Sequence, residues 1–335
     1  MKKTLICCNT NGQDLRLFQL DTECWTVDEI FRYPLQGVGG SSMAMPAAVV
    51  GDMIYVAFRG ESPALISLRL TRDRTGVEQV GHLAIEESCP YLSLSGNGRF
   101  LLAAGGTNAI VVRIGKEGVL DRVVSRMPLG ELAHCVVERG GTVYGTACRD
   151  DLLRRYRLDP ETGALEETAK VAFPKGSGPR HMAFSSDGRL LYVITENAGT
   201  IATLSLADDG EEAAQPRLLG AVPLLAGEGR RWSGDLALSD DGAWLFASER
   251  ASDQLVSLRL DASGEMMAAT SRVASPEHVR SLHLDPGGGF IVAVGNFGQS
   301  GEVYAVGADG RLTPKVTFVA GDGPSWVLGL DGPRG

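Results

Sequence analysis

The amino-acid sequence predicts an all-β protein, a seven-bladed β-propeller whose closing blade is shared between N-terminal and C-terminal strands. The first observation is a repeated hairpin, in which two short apolar strands flank a tight glycine turn. The second is the spacing of the turns, which lie 43 to 54 residues apart, at Gly51, Gly98, Gly141, Gly188, Gly242 and Gly288. Four-stranded units with a period of about 40–50 residues are typical of propeller blades.

The third observation is a repeat that is split between the two ends of the sequence. An apolar run at 326–330 precedes a further turn at Asp331 and Gly332, but no strand follows that turn. Apolar strands at 4–8 and 15–20 supply the missing part, and pairing 4–8 with 326–330 removes two exposed sheet edges. The sequence therefore predicts a closed ring that forms a single domain over residues 1–335.

The strands of the six uninterrupted repeats follow one order along the chain. Glycine and proline separate them about every ten residues, which favours an all-β fold and argues against long helices. The predicted strands read MPAAVV, MIYVAF, LISLRL and VEQVGHLAI; YLSLS, FLLAAGG and AIVVRIG; HCVVE, VYGTAC and LLRRYRL; HMAFS, LLYVIT and TIATLSL; LALS, WLFASE and QLVSLRL; and SLHLD, FIVAVGN and EVYAVG.

Composition and charge exclude several classes of partner. Of the 335 residues, 44% are hydrophobic and 22% charged, and the formal net charge is −9 with a pI near 5.2. An acidic chain lacks the basic surface that nucleic acid or an anionic membrane requires, and no apolar run reaches the length of a bilayer span. We therefore expect neither nucleic acid nor membrane as a partner.

The cysteines and the N-terminal segment predict a cytoplasmic protein without a cofactor. The six cysteines show no CxxC motif and no zinc spacing, so we expect reduced thiols that are mostly buried. The histidines are not spaced as metal ligands either, and no metal is expected. The opening MKKTLICC has too short an apolar stretch for a signal peptide, and we interpret it as a strand.

The hairpin at 176–197 brings two opposite charges together. Because its strands run antiparallel, Arg180 at the start of the first and Glu196 at the end of the second emerge at the same edge of the sheet. His181 follows Arg180 directly and, by the alternation of a strand, is predicted to face the other side and to be structural.

Equivalent positions of the other repeats should surround the same channel. They contribute a set of mostly cationic side chains, namely Arg59, His134, Arg149, Asp235, Arg250, Arg280 and Asn296. A group of arginines in an acidic protein indicates a small anionic ligand, since guanidinium binds carboxylate and phosphate in bidentate fashion. Taken singly, each of these charges is more often part of an exposed or inter-blade ion pair, and His134 on an apolar strand is more often structural.

The strings GSGPRHMAFSSDGRLLYVITEN and FASER resemble the seven-bladed lactonase family, which includes propeller-type 6-phosphogluconolactonases and 3-carboxymuconate-lactonizing enzymes. The resemblance implies metal-independent chemistry on a lactone, with His134, Arg180, Glu196 and Arg250 as catalytic residues. Arg59, Arg149, Asp235, Arg280 and Asn296 are then candidates for substrate binding. The fourth repeat, HCVVERGGTVYGTACRDD, departs from the family by lacking its Pro-Asp-Gly turn and Asp-Leu-Gly segment.

The predicted activity is hydrolysis of a small anionic sugar-acid lactone, as in 6-phosphogluconolactonases. Arg180 and Arg250 would stabilise the oxyanion, and either His134 or Glu196 would accept the proton of the attacking water. A carboxylate beside arginines is the weaker base of the two. One alternative is a muconate-type lactonizing cycloisomerase. An alternative of another class is a non-catalytic binding platform, which would spread aromatic anchors over one face instead of concentrating arginines at the channel.

Overall fold

Seven antiparallel sheets of four strands each make up the fold. The structure is a computed structural model that describes residues 1–35, 44–206 and 215–330. Within each sheet, neighbouring strands are hydrogen-bonded to each other from the channel outward. Each innermost strand also contacts the innermost strands of the two neighbouring sheets. The prediction of a seven-bladed β-propeller is confirmed, whereas the single domain over residues 1–335 stays a prediction.

The closing blade combines strands from both ends of the chain, as predicted. Its innermost strand is β28, and the order continues outward as β1, β2 and β3. In the antiparallel pairing of β28 with β1, Leu5 lies opposite Gly329 and Cys8 opposite Trp326. The turn predicted at 331–332 lies outside the described residues. The four strands are β28 (Pro324–Gly329), β1 (Lys2–Asn9), β2 (Asp14–Asp21) and β3 (Thr26–Pro34).

The other six blades each use four consecutive strands, from the channel outward. Blades two to four consist of β4 (Ala47–Val50), β5 (Met53–Phe58), β6 (Ala64–Leu70) and β7 (Val77–Ala84); β8 (Tyr91–Leu94), β9 (Phe100–Gly105), β10 (Asn108–Ile114) and β11 (Leu120–Pro128); and β12 (Ala133–Arg139), β13 (Thr142–Ala147), β14 (Leu152–Leu158) and β15 (Leu165–Ala172). Blades five to seven consist of β16 (Pro179–Phe184), β17 (Leu190–Thr195), β18 (Thr200–Ser205) and β19 (Arg217–Pro223); β20 (Ser233–Leu238), β21 (Trp244–Glu249), β22 (Gln254–Leu260) and β23 (Met266–Ala274); and β24 (Val279–Leu284), β25 (Phe290–Gly295), β26 (Ser300–Val306) and β27 (Leu312–Val319).

The core lies between neighbouring blades, and strand composition follows the depth of each strand. The second strand of a blade is covered on both faces, so β5 (MIYVAF) and β9 (FLLAAG) are apolar and buried throughout. The outermost strand faces solvent on one side, so β7 (VEQVGHLA) contains both covered and exposed positions. Five cysteines are buried in this core as free thiols, whereas Cys24 is exposed.

Helical structure in the described ranges amounts to one 3₁₀ segment at Lys116–Gly118. No helix within those ranges is long and apolar enough to cross a membrane. The β16–β17 turn shows how the chain reverses instead: Gly188 has a φ of +76°, a left-handed conformation that glycine adopts without strain.

Aromatic rings from three blades meet across the channel. Tyr91 on β8, His181 on β16 and Trp326 on β28 contact one another edge to face, with ring centroids 4.9 to 5.9 Å apart. Because these strands belong to non-adjacent blades, the contacts span the ring and fill the channel at this level. The polar side chains described next lie beside this aromatic plug.

Candidate active site

The β16–β17 hairpin places Arg180 and Glu196 together, which confirms the predicted proximity. Arg180 Nε lies 2.9 Å from Glu196 Oε2, and the arginine side chain is 2% exposed. Arg180 Nη1 donates to the carbonyl oxygen of Gly234 in the neighbouring blade. The guanidinium is therefore held between two blades, with its Nε edge toward Glu196.

Arg250 shares the same carboxylate from the next blade. Its Nη2 donates to Glu196 Oε2 at 2.9 Å and to the Ser233 carbonyl oxygen at 2.6 Å. Burial would raise the pKa of the Glu196 carboxyl, but the charges of Arg180 and Arg250 outweigh it and lower the pKa to about 2. Glu196 is thus an anion at neutral pH, bound by two guanidinium groups.

Two further arginines add to this positive charge. Arg280 on β24 is 7% exposed, and its Nε has no hydrogen-bond partner in the described part of the chain. Burial, reinforced by the charges of Arg180 and Arg250, lowers the pKa of Arg280 well below its usual value. Arg59 donates from Nε to Ser88 Oγ at 3.0 Å, and burial and the charge of Arg180 lower its pKa as well. We call Arg59, Arg180, Arg250 and Arg280 the arginine cluster.

His134 lies beside this cluster on β12. The residue is 5% exposed, and its Nδ1 has no partner among the described residues. Its ring centroid is 5.2 Å from that of His181. Burial and then the charges of Arg180, His181 and Arg280 lower the pKa of His134 well below 6.5, so the imidazole is neutral at neutral pH.

The prediction that His181 faces away from Arg180 is wrong. Arg180 Nη1 lies 3.2 Å from Nδ1 and 3.1 Å from Nε2 of His181. The physical reason is a β-bulge: Pro179 pairs with Thr195 but Met182 pairs with Val193, so β16 holds one extra residue here. A bulge interrupts the alternation of side chains along a strand, which brings consecutive residues into contact.

Asp235 fixes His181 in place rather than facing the channel as an isolated charge. Its Oδ1 lies 2.7 Å from His181 Nδ1 and accepts from the Leu236 backbone N–H at 2.9 Å. Its Oδ2 accepts from the Leu282 N–H in the next blade, also at 2.9 Å. Both carboxylate oxygens are therefore engaged, and one side chain connects three blades.

The other predicted binding residues occupy different settings. Asn296 is buried, and its Nδ2 donates to the Pro324 carbonyl oxygen of the closing blade at 3.5 Å. Arg149 is exposed in the turn after β13, where its backbone N–H donates to Glu131. The structure thus brings Arg180, Arg250 and Arg280 to Glu196, places His134 and Arg59 near Arg180, and leaves Arg149 on the surface.

Sequence reasoning missed three aromatic residues beside the cluster, Trp232, His278 and Phe297. Trp232 Nε1 donates to Glu196 Oε1 at 3.2 Å, and the Arg250 guanidinium lies 4.6 Å from the Trp232 ring centroid. A signal was present in the repeat: Trp232 and His278 are 46 residues apart, as are the turn glycines of the same two blades, and each directly precedes an inner strand.

Possible metal ligands do not converge in this region. Within residues 1–35, 44–206 and 215–330, no three His, Cys, Asp or Glu side chains are grouped as a metal site requires. Metal independence itself stays a prediction.

Comparison with known proteins agrees with the fold. The family described as "Lactonase, 7-bladed beta-propeller" matches residues 3–329. A protein of Serratia proteamaculans (strain 568) named 6-phosphogluconolactonase is 25% identical over 335 residues, which cover 98% of each chain. A 6-phosphogluconolactonase of Pectobacterium carotovorum subsp. carotovorum (strain PC1) is 26% identical over 346 residues, covering 99% of this chain and 100% of the relative.

Solved structures share the architecture at lower identity. The periplasmic gluconolactonase PpgL of Pseudomonas aeruginosa superposes with a TM-score of 0.85 at 23% identity, covering 99% of this chain and 100% of that one. A Lactobacillus plantarum protein gives a TM-score of 0.85 at 18% identity with the same coverage. These similarities establish the fold alone.

Proposed function

The chain belongs to this family of seven-bladed β-propeller lactonases. We propose that it hydrolyses the lactone of a small sugar acid that also carries an anionic group outside the lactone ester. One observation carries the proposal: Arg180 and Arg250 both contact the carboxylate of Glu196 at 2.9 Å, and Arg280 and Arg59 lie close enough for the charge of Arg180 to lower their pKa. The other nearby carboxylate, Asp235, already faces His181.

The charge balance supports an anionic substrate. The four guanidinium groups of the arginine cluster outnumber the carboxylates of Glu196 and Asp235, whose pKa values these arginines help to lower, in a largely buried region. Uncompensated buried charge is costly, and a substrate with one or two negative charges relieves it. Bidentate guanidinium contacts suit either phosphate or carboxylate. The cluster is therefore organised for a ligand that brings the missing charge.

Arg180 and Arg250 stabilise the transition state of ester hydrolysis. When water attacks the lactone carbonyl carbon, the carbonyl oxygen acquires negative charge, and fixed positive groups in a poorly hydrated site stabilise such an oxyanion strongly. Both guanidinium groups are nearly buried and held by carbonyl oxygens of blade six. They are thus positioned before the reaction and need no reorganisation.

His134 is the candidate base because its Nδ1 has no hydrogen-bond partner among the described residues, whereas both carboxylate oxygens of Glu196 are engaged. Glu196, with a pKa lowered to about 2 by two arginines, is a poor proton acceptor at neutral pH. The neutral imidazole of His134 can accept the proton that water loses as its oxygen bonds to the carbonyl carbon. Because the same surroundings make the imidazolium acidic, it returns that proton to the ring oxygen as the carbon–oxygen bond breaks. The products are a carboxylate, an alcohol and a released proton.

The substrate class follows from the relatives. Both curated relatives are named 6-phosphogluconolactonase, which favours lactone hydrolysis over cycloisomerisation and over a non-catalytic platform. We therefore propose 6-phosphoglucono-1,5-lactone as the substrate, whose phosphate supplies the anionic group. The reaction needs no metal in this proposal, and the chain acts in the cytoplasm.

The test is acid release from a small panel of lactones, corrected for spontaneous hydrolysis. The panel contains 6-phosphoglucono-1,5-lactone, the unphosphorylated glucono-1,5-lactone and an aldarate lactone. We expect the highest kcat/KM with the phosphorylated compound. Rates equal to the uncatalysed rate for all three would refute the function, and a preference for the aldarate lactone would replace phosphate by carboxylate.

A further inference from the structure

Three aromatic rings form a stack next to Glu196 and Arg250. The Trp232 and His278 rings meet edge to face with centroids 4.5 Å apart. The Phe297 ring lies parallel to the His278 imidazole, with centroids 4.1 Å apart and an interplanar angle of 13°. Since Trp232 also donates to Glu196, the stack is continuous with the candidate active site.

His278 is buried, but its two ring nitrogens form no hydrogen bonds within the described part of the chain. The residue is 2% exposed, yet neither ring nitrogen has a hydrogen-bond partner among residues 1–35, 44–206 and 215–330. A neutral imidazole carries one donor and one acceptor, and leaving such groups unpaired in the interior costs about 1–3 kcal/mol each. Burial and the charges of Arg250 and Arg280 lower its pKa to about 3, so the ring is neutral.

The backbone holds His278 in a conformation that favours glycine. Its φ is +60°, and its N–H donates to Asp253 Oδ1 at 2.7 Å. The residues at the same place before β16 and β28 are Gly178 and Gly323, which have φ of +70° and +69°. A histidine at this position therefore carries backbone strain that a glycine would avoid. Packing of the ring alone does not explain why two polar nitrogens are buried here, because an apolar ring would pack equally well.

Phe297 provides a movable cover over this imidazole. It is 54% exposed, an unusual setting for a phenyl ring, and it lies two residues after β25, at the end of the blade where β24 begins with Val279 and Arg280. Exposed side chains change rotamer within nanoseconds. Rotation of Phe297 would admit a ligand beside the His278 imidazole, and the phenyl ring would remain in contact with that ligand.

We infer that Trp232, His278 and Phe297 form a subsite for the hydroxylated ring of the substrate. The apolar face of a pyranose-like ring lies against Phe297, and its hydroxyl groups hydrogen-bond with the His278 nitrogens at the edge of the imidazole. Ligand sites commonly combine such apolar walls with a few polar groups. This subsite rests on the proposed function, because it binds the part of a sugar-acid lactone that the arginines do not.

The test compares two ring ligands that resist hydrolysis and differ in their hydroxyl groups, D-glucono-1,5-lactam and 2-piperidone. Their affinities are measured by calorimetry, with tryptophan fluorescence as a second readout. We expect the chain to bind the hydroxylated lactam more tightly. His278→Phe, which keeps the ring stack and removes both nitrogens, should weaken lactam binding about tenfold and leave 2-piperidone unaffected, as for the loss of one or two buried hydrogen bonds.

Matched controls separate the subsite from general effects. His82→Phe on exposed β7 and Leu219→Ala, a side chain 57% exposed on β19, should change neither affinity. Phe297→Ala should weaken both ligands about threefold by removing apolar contact area. Because a left-handed backbone disfavours phenylalanine, His278→Asn serves as a second variant, with folding checked by circular dichroism.

The outcomes distinguish this subsite from the proposed activity. If folded His278→Phe and His278→Asn bind the lactam as the unaltered chain does, or if that chain binds both ligands equally, the subsite is refuted even where lactones are hydrolysed. If lactam binding depends on His278 but no lactone is hydrolysed, the subsite stands and the hydrolase proposal falls.

Discussion

Each end of the β16–β17 hairpin carries an arginine–carboxylate ion pair, buried at the channel end and exposed at the turn. At the channel end, Arg180 faces Glu196 at 2.9 Å, with the side chains 2% and 18% exposed. At the turn, Arg189 faces Asp187 at 2.6 Å, with the side chains 61% and 45% exposed. The first pair connects β16 to the end of β17 and the second lies within the turn, but both bring a guanidinium within 3 Å of a carboxylate, so distance alone does not distinguish them.

Their surroundings do distinguish them. Asp187 accepts from Ser185 Oγ at 2.6 Å and from the Arg189 backbone N–H at 3.0 Å, so the turn satisfies its carboxylate locally. Glu196 instead faces more positive charge than it can balance. The charges of Arg189 and Asp187 are balanced within the turn, so this ion pair serves only the turn. Around Glu196 the buried positive charge exceeds the negative charge, which is typical of a site organised for an anionic ligand.

The largest expected effect is on stability. Glu196→Gln leaves Arg180, Arg250 and Arg280 without their carboxylate, and we expect a loss of about 3–5 kcal/mol in the free energy of unfolding at pH 7. Asp187→Asn at the turn should cost about 1 kcal/mol or less. Urea denaturation measures both, and similar losses for the two variants would remove the distinction between the two ends.

The same pair gives a pH dependence with a definite sign. The pKa of Glu196 is lowered from 4.5 to about 2 in the folded chain, so its stabilisation is complete above pH 4.5 and is lost as the pH falls toward 2. The difference in unfolding free energy between the original chain and Glu196→Gln should therefore shrink over that interval. A constant difference from pH 5 to pH 2 would contradict the assignment.

Turnover should respond to one arginine of the hairpin and not to the other. Arg180→Met should lower kcat about 10²–10³-fold, as loss of one oxyanion donor does. Arg189→Met, the matched change at the turn, should leave kcat and KM unchanged. The measurement is lactone hydrolysis by folded variants, and full activity of Arg180→Met would show that another group stabilises the oxyanion.

A smaller effect concerns binding of inorganic phosphate to the arginine cluster. At a phosphate concentration ten times the dissociation constant, the free energy of unfolding should increase by about 1.4 kcal/mol, which is measured as a rise in Tm. Arg280→Gln should abolish that rise while increasing the Tm without phosphate, because its buried charge is disfavoured in the folded chain. Arg189→Met should keep the full response. A rise that survives Arg280→Gln would place phosphate elsewhere.

The smallest expected effect is that of a chelator. If the positive charge of the site comes from arginines alone, incubation with EDTA and removal of divalent cations should leave lactone hydrolysis unchanged. Addition of Mg²⁺, Ca²⁺ or Zn²⁺ should not raise it. Activity lost to EDTA and restored by one of these ions would show that the reaction depends on a metal.

The repeat made the fold and one half of the site predictable. Turn spacing located the blades, and antiparallel pairing alone brought Arg180 to Glu196. The position of His181 could not be predicted, because one extra residue in β16 reverses the side it faces and leaves no mark in the apolar pattern. Arg149 was placed by register in the repeat, but register does not report which way a turn residue points.

The aromatic stack was missed for a related reason. Trp232 and His278 precede inner strands, where side chains do not follow the alternation of a strand, and Phe297 lies in a turn. Their rings meet only because adjacent blades bring these connections together at the channel. A comparison of the residue before each inner strand across the repeats identifies Trp232 and His278 but not Phe297.

The split closing blade sets the order in which the molecule can be completed during synthesis. Cys8 on β1 pairs with Trp326 on β28, 318 residues later, so at about 5–20 residues per second the ribosome needs tens of seconds to supply the partner. Until then β1 keeps an unpaired edge, at which other strands could pair. Trp326 also completes the ring contacts around His181. A nascent chain therefore has no finished pocket, and hydrolysis begins only after the last strand has been added.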